Sequence, residues 1–272
     1  MHQASTWPAA VLTSAFGPDF DSQRFAMAIS VGYFEALPAD NAPVFTVSGY
    51  VSSKARWRQF EEEWTRALRH EDLVAFDVRD FSRGTRDVTS GWSDPSRRRR
   101  LLDALGQVVE RHVMRAFACS VRLDDYAAID AEYGFGSAAA GPYGLCAGLL
   151  TATVRRWMAD RHPGDLTLFV FEEGDIDHRE LRRIAAAERS DGEPPQLWPR
   201  RWIDERGRRR HLRPLEACDL FAADAGAFVK RLLERSRFDR EVVDRGRLVR
   251  ICDGLGLEGR PTALAAAAHL MP

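Results

Sequence analysis

The chain has 272 residues, 45% of them hydrophobic and 29% charged, with 39 basic against 40 acidic side chains and a formal net charge of −1. These values exclude disorder, collagen and coiled coil as the dominant state, and the length suffices for one large or two small domains with a real core. The balanced charge provides no global basic field for nucleic acid, and all basic residues except Lys54 and Lys230 are arginine, a bias that a GC-rich genome explains.

Residues 1–24 read as an N-terminal extension. Met1 to Gly17 lacks a basic n-region, and its apolar run from Pro8 to Leu12 is too short for a secretory signal. No apolar run approaches the ~18–20 residues of a membrane span, so a cytoplasmic protein without a membrane partner is expected. Two β-prone runs, AMAISVGYF and PVFTVSGYV, flank a Pro/Asp/Asn turn at 37–41 and predict an antiparallel hairpin. Trp57, Phe60, Trp64 and Leu68 follow at helical spacing, with Ser52 or Ser53 as N-cap. LVAFDVRDF, Leu73 to Phe81, reads as a short strand. Asp94 and Pro95 open a helix whose buried stripe is Leu101, Leu102, Leu105, Val108 and Val109.

Met114 to Leu123 alternates like a strand. The Gly-rich stretch 132–141 opens into a helix from Tyr143 to Asp160. Thr167 to Phe171 is a fully apolar strand that ends abruptly in Glu172, Glu173, Gly174 and Asp175. A helix from His178 to about Arg189, a linker at 190–195, and a ribbon turning at Arg206-Gly207 come next. Pro214 then starts a long helix through about Glu234, carrying Glu216, Asp219 and Asp224. The expected fold is α/β, a mixed β-sheet with an N-terminal antiparallel hairpin flanked by helices. It occupies residues 25–235, with 236–272 as a C-terminal helical tail. Cys119, Cys146, Cys218 and Cys252 lack metal-ligand spacing and read as buried free thiols.

The chemistry concentrates where acids fall at strand ends. Glu35 closes one apolar strand, Asp77 and Asp80 another, and Glu172, Glu173 and Asp175 the most apolar one. Glu216 and Asp219 lie three apart on one helix face. Carboxylates at buried strand ends require a counter-charge or a metal, and oxygen ligands without thiols select a hard ion such as Mg²⁺ or Mn²⁺. Capping remains an alternative for some of them: Asp175 or Asp177 also fits an N-cap, and Glu216 the first turn of its helix.

The segments YFEALPADNAPVFTVSGYV, WRQFEEEW, FDVRDF, GWSDPSRRRRLL, FVFEEGD and PLEACDLFA, in this order, resemble the domain of unknown function 3800 family over roughly residues 28–235. The resemblance implies a ribonuclease-H-like fold and a metal cluster of Glu35, Glu172, Asp175 and Asp219, with Asp77 and Asp80 nearby. The chain departs from the family pattern at Glu35, one methylene longer than the family's Asp. Ala36, Leu37 and Pro38 stand where a small polar turn is expected. Asp77 stands where the family often has His, and Glu216 where its late helix has Gln.

Two histidines, His178 after the acidic strand end and His211 before the Asp219 helix, are candidate general acid/base groups. Arg200, Arg201, Arg206, Arg208, Arg209, Arg210 and Arg213 form a basic ribbon interrupted by Asp204 and Glu205. Trp198 and Trp202 beside it are candidates for base stacking. An acidic metal centre flanked by such a ribbon suits a phosphodiester. The leading expectation is therefore a Mg²⁺- or Mn²⁺-dependent phosphodiesterase or nuclease acting on nucleic acid. Two readings stand beside it: a decayed binding or assembly module, and a metal enzyme acting on a small phosphorylated metabolite. The ribbon's bland alternative is a solvated hairpin paired with the acidic 172–193 stretch.

Overall fold

The computed structural model describes residues 29–37, 43–78, 81, 94–136, 141–173, 195–204, 207–220 and 238–254. Strands β1 (Ile29–Leu37) and β2 (Val44–Ser53) form the expected antiparallel hairpin, with Phe34 opposite Gly49 and Glu35 opposite Ser48. Helix α1 (Lys54–His70) starts at Ser53, whose side chain accepts from the Arg56 N–H. It buries Trp57, Phe60, Trp64 and Leu68 as the 3.6-residue spacing requires. Its end is a Schellman turn. The Leu73 N–H donates to the Leu68 carbonyl and the Asp72 N–H to the Arg69 carbonyl, with Asp72 at φ 58°.

Helix α2 (Pro95–His112) is capped by Asp94 and packs beside α1. It is followed by β3 (Arg115–Arg122), α3 (Leu123–Tyr133), α4 (Gly141–Arg161) and β4 (Leu166–Glu172). Then come β5 (Gln196–Trp198) and the ribbon strands β6 (Arg201–Ile203) and β7 (Arg209–His211). Helix α5 (Arg213–Cys218), β8 (Phe238–Val243) and α6 (Arg245–Gly254) complete the described elements. The main sheet has the order β5-β4-β1-β2-β3-β8. β1, β2 and β3 form an antiparallel meander, β4 and β5 extend it in parallel from β1, and β8 runs parallel to β3.

Each sheet face has its own core. One packs Tyr33, Tyr50, Leu168 and Val170 against α1, α2 and α5; the other packs Phe34, Phe117, Phe169 and Phe171 against α3, α4 and α6. The α/β class, the mixed sheet and the hairpin are as expected. Among the described residues no helix is long and apolar enough to cross a membrane.

Three expectations are corrected. Residues 73–77 are not a strand, because the N–H groups of Phe76 and Val78 donate to the side chains of Glu216 and Asp219 rather than to a neighbouring strand. Residues 196–198 leave the ribbon to pair with β4. Residues 238–243 form a sheet strand, so the segment after 235 is not purely a helical tail. Helix α3, absent from the sequence reading, carries a weak apolar stripe and buries only Tyr126 and Ile129. The proposed helix at 178–189 and the continuation of the Pro214 helix beyond 220 lie outside the described residues, as does the 1–24 extension.

Candidate active site

The site is built at the C-terminal edge of β1 and β4, on the face covered by α1, α2 and α5. Side chains alternate along a strand, so Val31, Tyr33 and Glu35 share this face with Leu168, Val170 and Glu172. The parallel register aligns Tyr33 with Val170 and Phe34 with Phe171; one step further brings Glu35 beside Glu172. Apolar residues thus give way to acids toward the C-terminal ends of the two strands. Ser48, the partner of Glu35 on β2, adds a buried hydroxyl with no hydrogen bond among the described residues.

Helix α5 lies against β1 and supplies Asp219 from its C-cap position. The 73–78 segment is anchored by buried Leu73, Phe76 and Val78 and places Asp77 between the two N–H groups that bind α5. Four acids from four pieces of chain meet in this way, and Arg200, at the bend between β5 and β6, sits among them. Its Nη2 donates to Glu35 and, at 2.6 Å, to Glu172; its Nη1 donates to Asp219 at 2.7 Å and lies 3.8 Å from Asp77. Arg201 approaches Asp77 from outside at 3.4 Å. The Glu35 and Asp219 side chains are only 4% and 5% exposed and that of Arg200 12%.

This burial sets the electrostatics. Burial pushes the Asp219 carboxyl up to about 6; Arg200 pulls against that rise and Asp77 adds to it. Burial also opposes the charge on Arg200, but Glu35, Asp219 and Glu172 together hold the guanidinium more firmly charged than usual. Among the described residues, four carboxylates face one central guanidinium and one peripheral one.

Four carboxylates on separate elements converge, oxygen donors of the kind a hard divalent ion takes, with the buried Cys218 thiol within electrostatic reach of Glu35, Asp219 and Glu172. Among the described residues no group of three or more Asp, Glu, His or Cys is disposed to hold an ion as it stands, and a guanidinium binds three of the carboxylates. The structure therefore brings together Glu35, Glu172, Asp219 and Asp77. Asp175, Asp80 and His178 lie outside the described residues.

Glu216 does not join the cluster, although it was expected to. Fully buried, it accepts from Trp64 Nε1 at 3.0 Å, from the Phe76 N–H at 3.3 Å, and from Arg213 Nη1 at 2.8 and 2.9 Å. Burial opposes its charge, but nearby His211 and the Arg213 guanidinium hold the carboxyl below the usual range. His211 accordingly faces Glu216, with Nδ1 3.1 Å from Oε1; it supports α5 and is not placed as an acid/base group at the cluster. Trp198 and Trp202 are partly buried against the core and meet edge to face at 6.1 Å, a packing role rather than an open stacking platform.

The ribbon arginines divide in the same manner. Arg208 and Arg210 both bind Asp204, at 2.9 and 2.8 Å. Arg209 is exposed and makes no ion pair among the described residues. Arg200 and Arg213, both expected on the substrate-binding ribbon, instead bind carboxylates, Arg200 at the centre of the cluster and Arg213 on Glu216. The second was findable, since Arg213 and Glu216 stand three apart at the start of a helix. Comparison with family models, with curated proteins and with solved structures gave no match.

Proposed function

We propose that this protein is a divalent-metal-dependent phosphodiesterase acting on nucleic acid, on a ribonuclease-H-like α/β fold. The observation that carries the reading is the convergence of Glu35, Asp77, Glu172 and Asp219 at one sheet edge around a single buried guanidinium. Like charges this close demand a cation. The meander continued by two parallel strands, with acids at the ends of β1 and β4, supports the finer fold reading.

In this reading Glu35, Glu172 and Asp219 hold Mg²⁺ or Mn²⁺, with Asp77 at the rim. A bound ion there would supply an activated water and neutralise charge on a phosphate. Helix α5 and the 76–78 backbone fix Asp219 through the Val78 N–H, at 3.3 Å, so that it need not reorganise when a ligand arrives. Exposed Arg201 and Arg209 on the ribbon are placed to take the substrate backbone by charge-assisted hydrogen bonds.

The test is cleavage of single-stranded and duplex DNA and RNA by the full chain with Mn²⁺ or Mg²⁺, beside Asp219→Asn and Glu35→Gln. Metal-dependent cleavage that falls at least about a hundredfold in both variants is expected, the upper range for outer-shell partners of a metal. Wild-type activity in Asp219→Asn would overturn the assignment. One observation favours a second reading, a decayed binding module: Arg200 already supplies a cation where the metal would sit. That module would bind nucleic acid without metal and lose affinity steeply with salt.

A further inference from the structure

Arg200 is not a surface arginine that happens to find an acid. It is the only side chain described that touches three of the clustered carboxylates within hydrogen-bond distance, and it also lies near the fourth. Its position is the shared focus of ligands that otherwise repel one another. The fit is incomplete, because buried Arg200 Nε has no hydrogen-bond partner among the described residues, and neither has the Ser48 hydroxyl under Glu35. Unsatisfied buried polar groups are costly, so the arrangement is one that a better-fitting cation improves upon.

The backbone at Arg200 is held independently of its guanidinium. The Arg200 carbonyl accepts from the Leu212 N–H at 2.8 Å, and Trp198 and Trp202 on either side pack into the core. The side chain is long and can leave while the ribbon stays. Its outward neighbour Arg201 is half exposed, so a withdrawn guanidinium joins a surface that already presents a cation.

We infer that Arg200 is a resident counter-cation that exchanges with the divalent metal: the ion enters the carboxylate cluster only as the guanidinium withdraws toward the ribbon. The inference rests on the reading of the cluster as a metal centre and adds a regulation to it. A guanidinium contributes one positive charge and a divalent ion two, so the exchange brings a second positive charge to the mutually repelling carboxylates. The released fork is then free to bind a phosphate bidentately, which couples filling of the site to capture of substrate. Metal alone must compete with Arg200; metal arriving with a phosphate need not, because the phosphate receives the displaced guanidinium.

The experiment is calorimetric titration of metal-free wild type, Arg200→Gln and Arg200→Lys with MnCl₂, with thermal unfolding of each chain with and without the ion. Exchange predicts at least tenfold tighter Mn²⁺ binding in Arg200→Gln than in wild type, with Arg200→Lys between them. It also predicts that Arg200→Gln melts lower than wild type without metal and gains more from Mn²⁺. If Arg200→Gln folds only with Mn²⁺, the exchange is supported equally. If it does not fold at all, Arg200→Lys decides by the same comparison. Equal or weaker Mn²⁺ binding in the variants overturns the exchange but leaves the metal centre standing. No binding in any chain overturns both.

Discussion

At the residue scale, Glu216 shows how one carboxylate can serve the site without touching it. It joins α1 through Trp64, the 73–78 segment through Phe76, and its own helix through Arg213, so the loop carrying Asp77 and the helix carrying Asp219 share one buried anchor. Glu216→Gln leaves Arg213 buried without its counter-charge, and an expected loss of about 3–5 kcal/mol follows, measurable by urea unfolding at pH 7. The pH dependence has a defined sign. The folded carboxyl titrates below its ordinary value of 4.5, so its stabilisation is complete above that pH and is lost as pH falls through the folded value. The gap between wild type and variant should therefore narrow between pH 4.5 and lower pH. A gap that stays constant across this range would show that the ionised form is not what holds the anchor. Strand-end acids were legible in the sequence because apolar runs stop at them abruptly. Their separation into a cluster around Arg200 and a buried anchor was not, since both sets contain the same residue types, and only the packing of α5 decides which way Glu216 and Asp219 face.

At the element scale, the hairpin carries the tightest constraint. Gly49 stands opposite Phe34, and a Cβ there would lie 1.8 Å from the Tyr33 carbonyl oxygen and 2.6 Å from the Phe34 ring. A backbone atom cannot yield as a flexible side chain does, so Gly49→Ala should cost at least about 1–3 kcal/mol and disturb the strand that carries Glu35. Gly246→Ala is the control: the nearest atom is Asp244 Oδ1 at 3.5 Å, and a change within about 0.5 kcal/mol is expected. Equal melting losses in the two variants would remove the argument from close approach. Helices α1 and α2 and strands β1 to β4 were legible because their periodicity and caps agree with their burial. The 73–81 run misled for a physical reason. It is apolar and does bury Leu73, Phe76 and Val78, but the N–H groups of Phe76 and Val78 find Glu216 and Asp219 instead of a strand. β5 escaped notice because three residues are too few for a period to show.

At the scale of the whole molecule, β8 and α6 belong to the core. Val243, Leu248 and Cys252 are fully buried on the face shared with α3 and α4, and β8 covers the edge of β3. A chain ending at residue 235 would leave β3 as an open edge strand, and loss of a single cooperative melt together with self-association is expected. An unchanged melting temperature would show that the segment is separable after all. The acidic centre has a consequence for how the protein is made. Glu35 belongs to the first strand pair, yet Arg200 follows it by 165 residues and Asp219 comes later still. During translation the β1–β2 hairpin leaves the ribosome long before its parallel neighbour and its counter-charge exist. Closing so distant a contact is slow. A nascent chain can therefore hold much of the sheet while its acidic edge is unfinished, and the cluster closes only once Arg200 and Asp219 have both emerged.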